Sequence, residues 1–188
     1  MTEQSATGAP QLSLQLLVLR CQAGDERAFV RLMDTFEGKT LRYLRGLVGD
    51  DAEDVQQEVW LTVYRGISAL SNPGAFRTWL YRTTRHRAVD FLRRRKRERE
   101  LIDDVPIEEV EVSDAGDQRE FAAVDESELA AALMAIPPPQ REVLLLRYRD
   151  DMSYHEIALV VGCPIGTVRT RLHHAKRRLR ELLERGQS

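Results

Sequence analysis

Apolar residues recur every three or four positions along much of the chain: Leu14, Leu17 and Val18, then Phe29, Leu32, Met33 and Phe36, then Leu41, Leu44 and Leu47. That spacing gathers side chains on one face and predicts amphipathic helices. Residues 1–11 lack it and read as a disordered tail. Asp25 is placed to cap the second helix, which should stop near Gly49. Asp50 and Glu53 then form a capping-box pattern for a third helix, DAEDVQQEVWLTVYRG. Its expected buried set is Val55, Val59, Leu61 and Val63, which leaves Asp54, Gln57, Glu58 and Trp60 pointing at least partly outward. Asn72-Pro73-Gly74 is turn chemistry, and Pro73 can open a fourth helix, FRTWLYRTTRHRAVDFLRRRKR, from Phe76 to about Arg97. Trp79, Leu80, Thr83, Ala88, Phe91 and Leu92 are its inward candidates.

Past residue 98 the periodicity fades. Residues 99–125 combine acids with Pro106, Ser113 and Gly116 and read as a flexible tether, with a short helix over 117–124 as the alternative. A second domain, 126–188, opens with Leu129, Leu133 and Ile136, breaks at Pro137-Pro138-Pro139, and resumes with Val143, Leu144, Leu145, Leu146 and Tyr148. Ser153 and Glu156 form a capping box, Ile157, Ala158 and Val161 face a core, and Gly162 permits a sharp turn before a helix starting near Pro164 or Ile165. This is a helix-turn-helix. Its last helix is expected to bury Val168, Leu172, Ala175, Leu179 and Leu182. Gly166, Thr167, Arg169, Thr170, Arg171, His173, His174, Lys176 and Arg177 are thereby projected onto other faces. The fold class is all-α: two small helical domains, 12–98 and 126–188, joined by an acidic linker.

Composition agrees with a helical, globular chain of 188 residues: 43% hydrophobic, 31% charged, 6% aromatic. No run approaches the roughly 20 apolar residues of a membrane span, and MTEQSATGAP has no secretion signal, so the cytoplasm is expected and no membrane contact. Cys21 and Cys163 suit a reducing compartment. The net charge of −2 hides strong segregation. Arg77–Arg99 holds ten basic residues against Asp90 and Glu98; Glu100–Glu128 holds twelve acids against Arg119; Cys163–Ser188 holds seven basic residues against Glu181 and Glu184. Two cationic helices flanking an acidic connector point to nucleic acid. A phosphate-binding loop, an H-E-x-x-H zinc motif and a nucleophile elbow are all missing, and His155, His173, His174 and Cys163 lack zinc-site spacing. Neither a metal nor a cofactor is expected, and catalysis is disfavoured.

With the third helix, the arginine-rich fourth helix and the final helix-turn-helix in this order, the chain resembles the extracytoplasmic-function (ECF) sigma factors from about Gln22 to Glu184. The segments look like sigma regions 2.1 to 2.4, a linker, and regions 4.1 and 4.2. That resemblance implies a non-enzymatic subunit of RNA polymerase that selects promoters and helps to melt their minus-ten region. It implies docking of Asp54, Gln57 and Glu58 on the clamp helices of the polymerase β′ subunit, further contact with the β subunit, and an anti-sigma factor as regulator. The loop Ser71–Phe76 and the fourth helix resemble the element that grips the non-template single strand, with Asn72, Phe76, Arg82, Arg85, His86, Arg93, Arg94 and Arg95 as contacts. His86 stands where many relatives carry Asn. Bases can stack on Trp79 or Tyr81, and of the two Trp79 is the one expected in the core. Thr167, Arg169, Thr170, Arg171, His173, His174, Lys176 and Arg177 are the candidates for the duplex minus-thirty-five element, early residues meeting base edges and later ones phosphates. His174 stands where Arg is frequent. No regulatory extension is expected after the last helix. The alternative is a free-standing helix-turn-helix regulator, which should bind duplex DNA without polymerase.

Overall fold

The computed structural model describes residues 8–100 and 126–186. Among them every regular element is helical. The chain forms two compact units, Met1–Arg93 and Arg94–Ser188. The division falls inside a helix, ahead of the boundary expected at residue 98.

The first unit contains α1 (Gly8–Gln22), α2 (Glu26–Val48), α3 (Ala52–Gly66) and the start of α4 (Phe76–Glu100). Single 3-10 turns at Gly49–Asp51, Ile67–Ala69 and Pro73–Ala75 bridge them. The expected tail therefore ends too late, since residues 8–11 are already helical. Pro10 falls in the first turn, where its missing N–H costs no helical hydrogen bond. Residues 1–7 lie outside the described ones.

Asp25 caps α2 by accepting from the Ala28 backbone N–H at 3.1 Å. Arg20 ion-pairs with the same carboxylate at 2.6 Å. That guanidinium, followed by the Ala28 N–H, holds the Asp25 carboxyl below its usual range. α2 stops where Gly49 takes φ +69. The capping box at Asp50 and Glu53 does not form: a 3-10 turn precedes α3, its N-cap Asp51 makes no side-chain capping bond, and Glu53 pairs with Arg45 at 3.1 Å.

A core of Val18, Leu32, Phe36, Val59, Trp60, Val63, Ile67, Phe76 and Leu80 joins α1 to α4. A smaller cluster, Leu44, Val48, Ala52, Val55 and Ala88, closes the other end. On α3 the buried positions are 52, 55, 56, 59, 60 and 63. This stripe corrects two expectations: Trp60 is buried, whereas Leu61 is 56% exposed. At 100° per residue, a face centred on 56 and 59 includes 60 and excludes 61. Gln56 enters the core because its Nε2 donates to the Glu37 carbonyl at 2.7 Å and to Thr40 Oγ1 at 3.0 Å.

The second unit holds α5 (Glu126–Met134), α6 (Pro138–Leu144) running into a π-helical turn at Leu145–Arg149, α7 (Tyr154–Val161) and α8 (Ile165–Gly186). Pro137 caps α6, and Pro138 occupies its first turn. Val143 to Leu146 are buried, and Tyr148 is exposed. The Ser153–Glu156 capping box forms in both directions, and Gly162 ends α7 in the left-handed region at φ +71. α8 buries Val168, Leu172, Ala175, Leu179 and Leu183. Leu183 replaces the expected Leu182, which is half-buried. α4 extends to Glu100, past the boundary expected at residue 98. The alternative short helix over 117–124 lies outside the described residues.

Candidate nucleic-acid and polymerase interface

The burial of α3 decides what it offers outward. Asp54 and Gln57 are exposed and Glu58 is half-exposed. At spacings of three and four they share a face with exposed Leu61. Tyr64, also exposed, continues the face and meets Phe29 edge-on at 5.1 Å between ring centroids. The pattern missed Leu61 and Tyr64 because an apolar side chain in an amphipathic helix is assigned to the core by default.

The loop before α4 is held by Asn72, whose Oδ1 accepts from the Gly74 N–H at 2.9 Å. Asn72 itself is exposed. Phe76 is a correction: it has 0% exposure and packs against Phe36 at 5.6 Å and Trp79 at 6.0 Å, which leaves no surface of its side chain for a contact. The ordering of the two aromatics is also reversed. Tyr81 is fully buried against Tyr43, whereas Trp79 is half-exposed. Trp79 lies over Gly66, where an added Cβ would meet its ring at 3.1 Å.

Along α4, Arg82 and His86 are exposed one turn apart, with half-exposed Arg85 beside them. Arg93, Arg94 and Arg95 are exposed further on, as is Leu92, which had been expected to pack inward. Arg87 is otherwise engaged: its Nε donates to Thr62 Oγ1 at 3.1 Å and ties α4 to α3.

On α8 the candidates separate. Arg169 and Arg177 are exposed, and Thr167, Thr170, Arg171, His173 and Lys176 are half-buried. His174 is a correction, being only 8% exposed beside buried Ala175. Its Nε2 has no partner among the described residues. Thr170 Oγ1 donates to the Gly166 carbonyl at 3.1 Å. The Arg171 guanidinium turns back toward Cys163 Sγ at 3.9 Å. Arg177 lies 3.7 Å from Glu181, and the Lys176 ammonium sits 5.0 Å over the Tyr148 ring. Tyr148 therefore borders the cationic face at Lys176, although it carries no charge that the pattern could flag.

A helical unit with a cationic long helix, together with a helix-turn-helix unit, defines a class of DNA-binding transcription protein. The Sigma-70 region 2 family matches residues 32–98 and Sigma-70 region 4 matches residues 126–179. The chain is 32% identical to the ECF RNA polymerase sigma-E factor of Haemophilus influenzae over 94% of its own length and 96% of that protein's. It is 33% identical to the sigma-E factor of Escherichia coli K12, covering 88% and 92% respectively. The sigma factor RpoE of Bartonella quintana, solved with the anti-sigma factor NepR, is similar at TM-score 0.69 and 26% identity, covering 83% of this chain and 96% of that one. CnrH, solved with the cytosolic domain of CnrY, shares the fold at TM-score 0.66 and 23% identity, over 91% and 97%. The chain belongs to the ECF sigma factors of the sigma-70 family. It is a sigma factor, directing RNA polymerase to promoters.

Proposed function

We propose that the protein divides promoter recognition between its two units and acts entirely by binding, with no catalytic step. Its first domain, 12–98, docks the Asp54, Gln57 and Glu58 face of α3 on the β′ clamp helices. The same domain receives the unpaired non-template strand along Asn72, Arg82, Arg85, His86 and Arg93 to Arg95. Opening then follows from preferential binding to the separated strand. The second domain, 126–188, reads the minus-thirty-five duplex with Arg169 and its neighbours, while the β subunit supports it and residues 99–125 span the gap. The single observation that carries this reading is the outward acidic face of α3 in the same unit as Arg82, Arg85 and His86 of α4. A duplex-only regulator has no use for a polymerase-docking face.

The protein works in the cytoplasm, where the polymerase is; among the described residues no helix is long and apolar enough to cross a membrane. An anti-sigma factor covers the polymerase-binding face until the inducing signal arrives, as the pairing of the Bartonella relative with NepR suggests. Reconstitution with core polymerase, followed by sequencing of transcript starts, tests the proposal. Start sites should cluster behind a shared promoter pair and vanish without the protein. Tight duplex binding by the protein alone, with no new start sites, would instead favour a free-standing regulator.

A further inference from the structure

The last residue of α1 reaches the loop that precedes α4. Gln22 uses both hydrogens of its side-chain amide: Nε2 donates to the Ile67 carbonyl at 2.9 Å and to the Leu70 carbonyl at 2.8 Å. Those two carbonyls open the stretch that leads to Asn72. Two turns earlier on α1, Gln15 lies against the far side of the loop, where a Cβ added to Gly74 would meet its Nε2 at 2.8 Å. The backbone of the loop comes this close to α1 because residue 74 has no side chain. Gln15, Val18 and Gln22 share one face of the helix. Val18 is fully buried in the core, so α1 is anchored between its two contacts with the loop. The loop's own bonds are local: the Asn72 turn onto Gly74, and the Ala75 N–H donating to the Asn72 carbonyl at 3.0 Å. With its Oδ1 turned to Gly74, Asn72 has its Nδ2 left for a base.

We propose that Gln22, assisted by Gln15, is a positioning residue for promoter opening. α1 splints the segment 67–75 so that Asn72 and the first turn of α4 meet the unpaired strand already ordered. A loop held in its binding conformation loses less freedom when the strand arrives, and that saving appears as affinity. The inference rests on the minus-ten role given to this loop under Proposed function.

The test uses the full chain assembled with core polymerase. Gln22→Leu keeps the bulk and removes both donors; Gln22→Glu sets a carboxylate against two carbonyl oxygens. The probes are a single-stranded oligonucleotide carrying the minus-ten sequence and a duplex promoter followed by permanganate reactivity. Both variants should bind the oligonucleotide about tenfold more weakly and open the promoter more slowly, with affinity for core within about twofold of wild type. Gln15→Ala should have a smaller effect in the same direction. Opening at the wild-type rate in Gln22→Leu overturns the inference, as does a loss of core affinity in proportion, which would mean general loosening of the first unit. Arg82→Ala and Arg85→Ala separate the two failures. If they weaken oligonucleotide binding while the Gln22 variants do not, only the splint falls. If they too leave it unchanged, the minus-ten assignment falls and takes the splint with it.

Discussion

Arg169 and His174 share α8, but the packing of that helix gives them different work. Arg169 is exposed within the first turns, where a guanidinium can pair bidentately with a guanine edge. His174 lies against the core of the second unit. Arg169→Ala is expected to cost about 1 to 3 kcal/mol at the cognate promoter and to relax preference at one base position. His174→Leu, which puts an apolar side chain of similar size in a buried place, should leave the preference pattern unchanged. Selection of binding sites from a randomised minus-thirty-five element by holoenzyme measures both. A changed motif for His174→Leu would restore that residue to the interface. At this scale the sequence is least legible. Cationic spacing marked one face of α8, but whether a given residue on it is exposed depends on its neighbours. His174 and Trp60 lie at the edge of a buried face, whereas Leu61 lies opposite one and is apolar all the same.

Elements are better legible where the signal is local chemistry. The Asp25 cap, the Gly49 stop, the Ser153–Glu156 box and the Gly162 turn are all present, because each needs only residues a few positions apart. The box expected at Asp50 and Glu53 does not form because a 3-10 turn over Gly49–Asp51 puts Asp51, not Asp50, at the N-cap, and Glu53 pairs with Arg45 instead. Burial also sets the outward composition of α3. With Val55, Gln56, Val59, Trp60 and Val63 inside, Asp54, Gln57 and Glu58 remain as a polar patch bordered by Leu61. Charged groups at a partner surface act on association and selectivity. Asp54→Ala combined with Glu58→Ala should therefore weaken core polymerase binding while leaving the unfolding transition intact. Trp60 and Trp79, the two tryptophans of the chain, both lie in the first unit and report that transition by fluorescence. Unchanged affinity in a titration against core enzyme would remove this helix from the interface.

At the scale of the whole molecule, the segregation of charge matters more than the net charge of −2. A chain with this balance would be a poor nucleic-acid binder if its charges were mixed; instead ten basic residues fall within Arg77–Arg99 and seven within Cys163–Ser188. In the proposed division of labour the two basic helices serve different recognition events, and the form of the DNA distinguishes them. Strand separation exposes phosphates for α4 to follow, whereas the helix-turn-helix engages a duplex that exists beforehand. Replacing Arg93, Arg94 and Arg95 with Ala should leave recruitment to the closed promoter nearly intact and impair opening. Replacing Lys176 and Arg177 should do the reverse, weakening recruitment evenly across promoter sequences. The second variant should also lower the salt dependence of closed-complex binding by roughly the equivalent of one or two phosphate contacts. Closed-complex affinity at several salt concentrations, read beside permanganate reactivity of the minus-ten thymines, separates the two effects. Normal melting in the triple arginine variant would show that the end of α4 follows no separated strand, and would leave Arg82, Arg85 and His86 as the whole of its DNA contact.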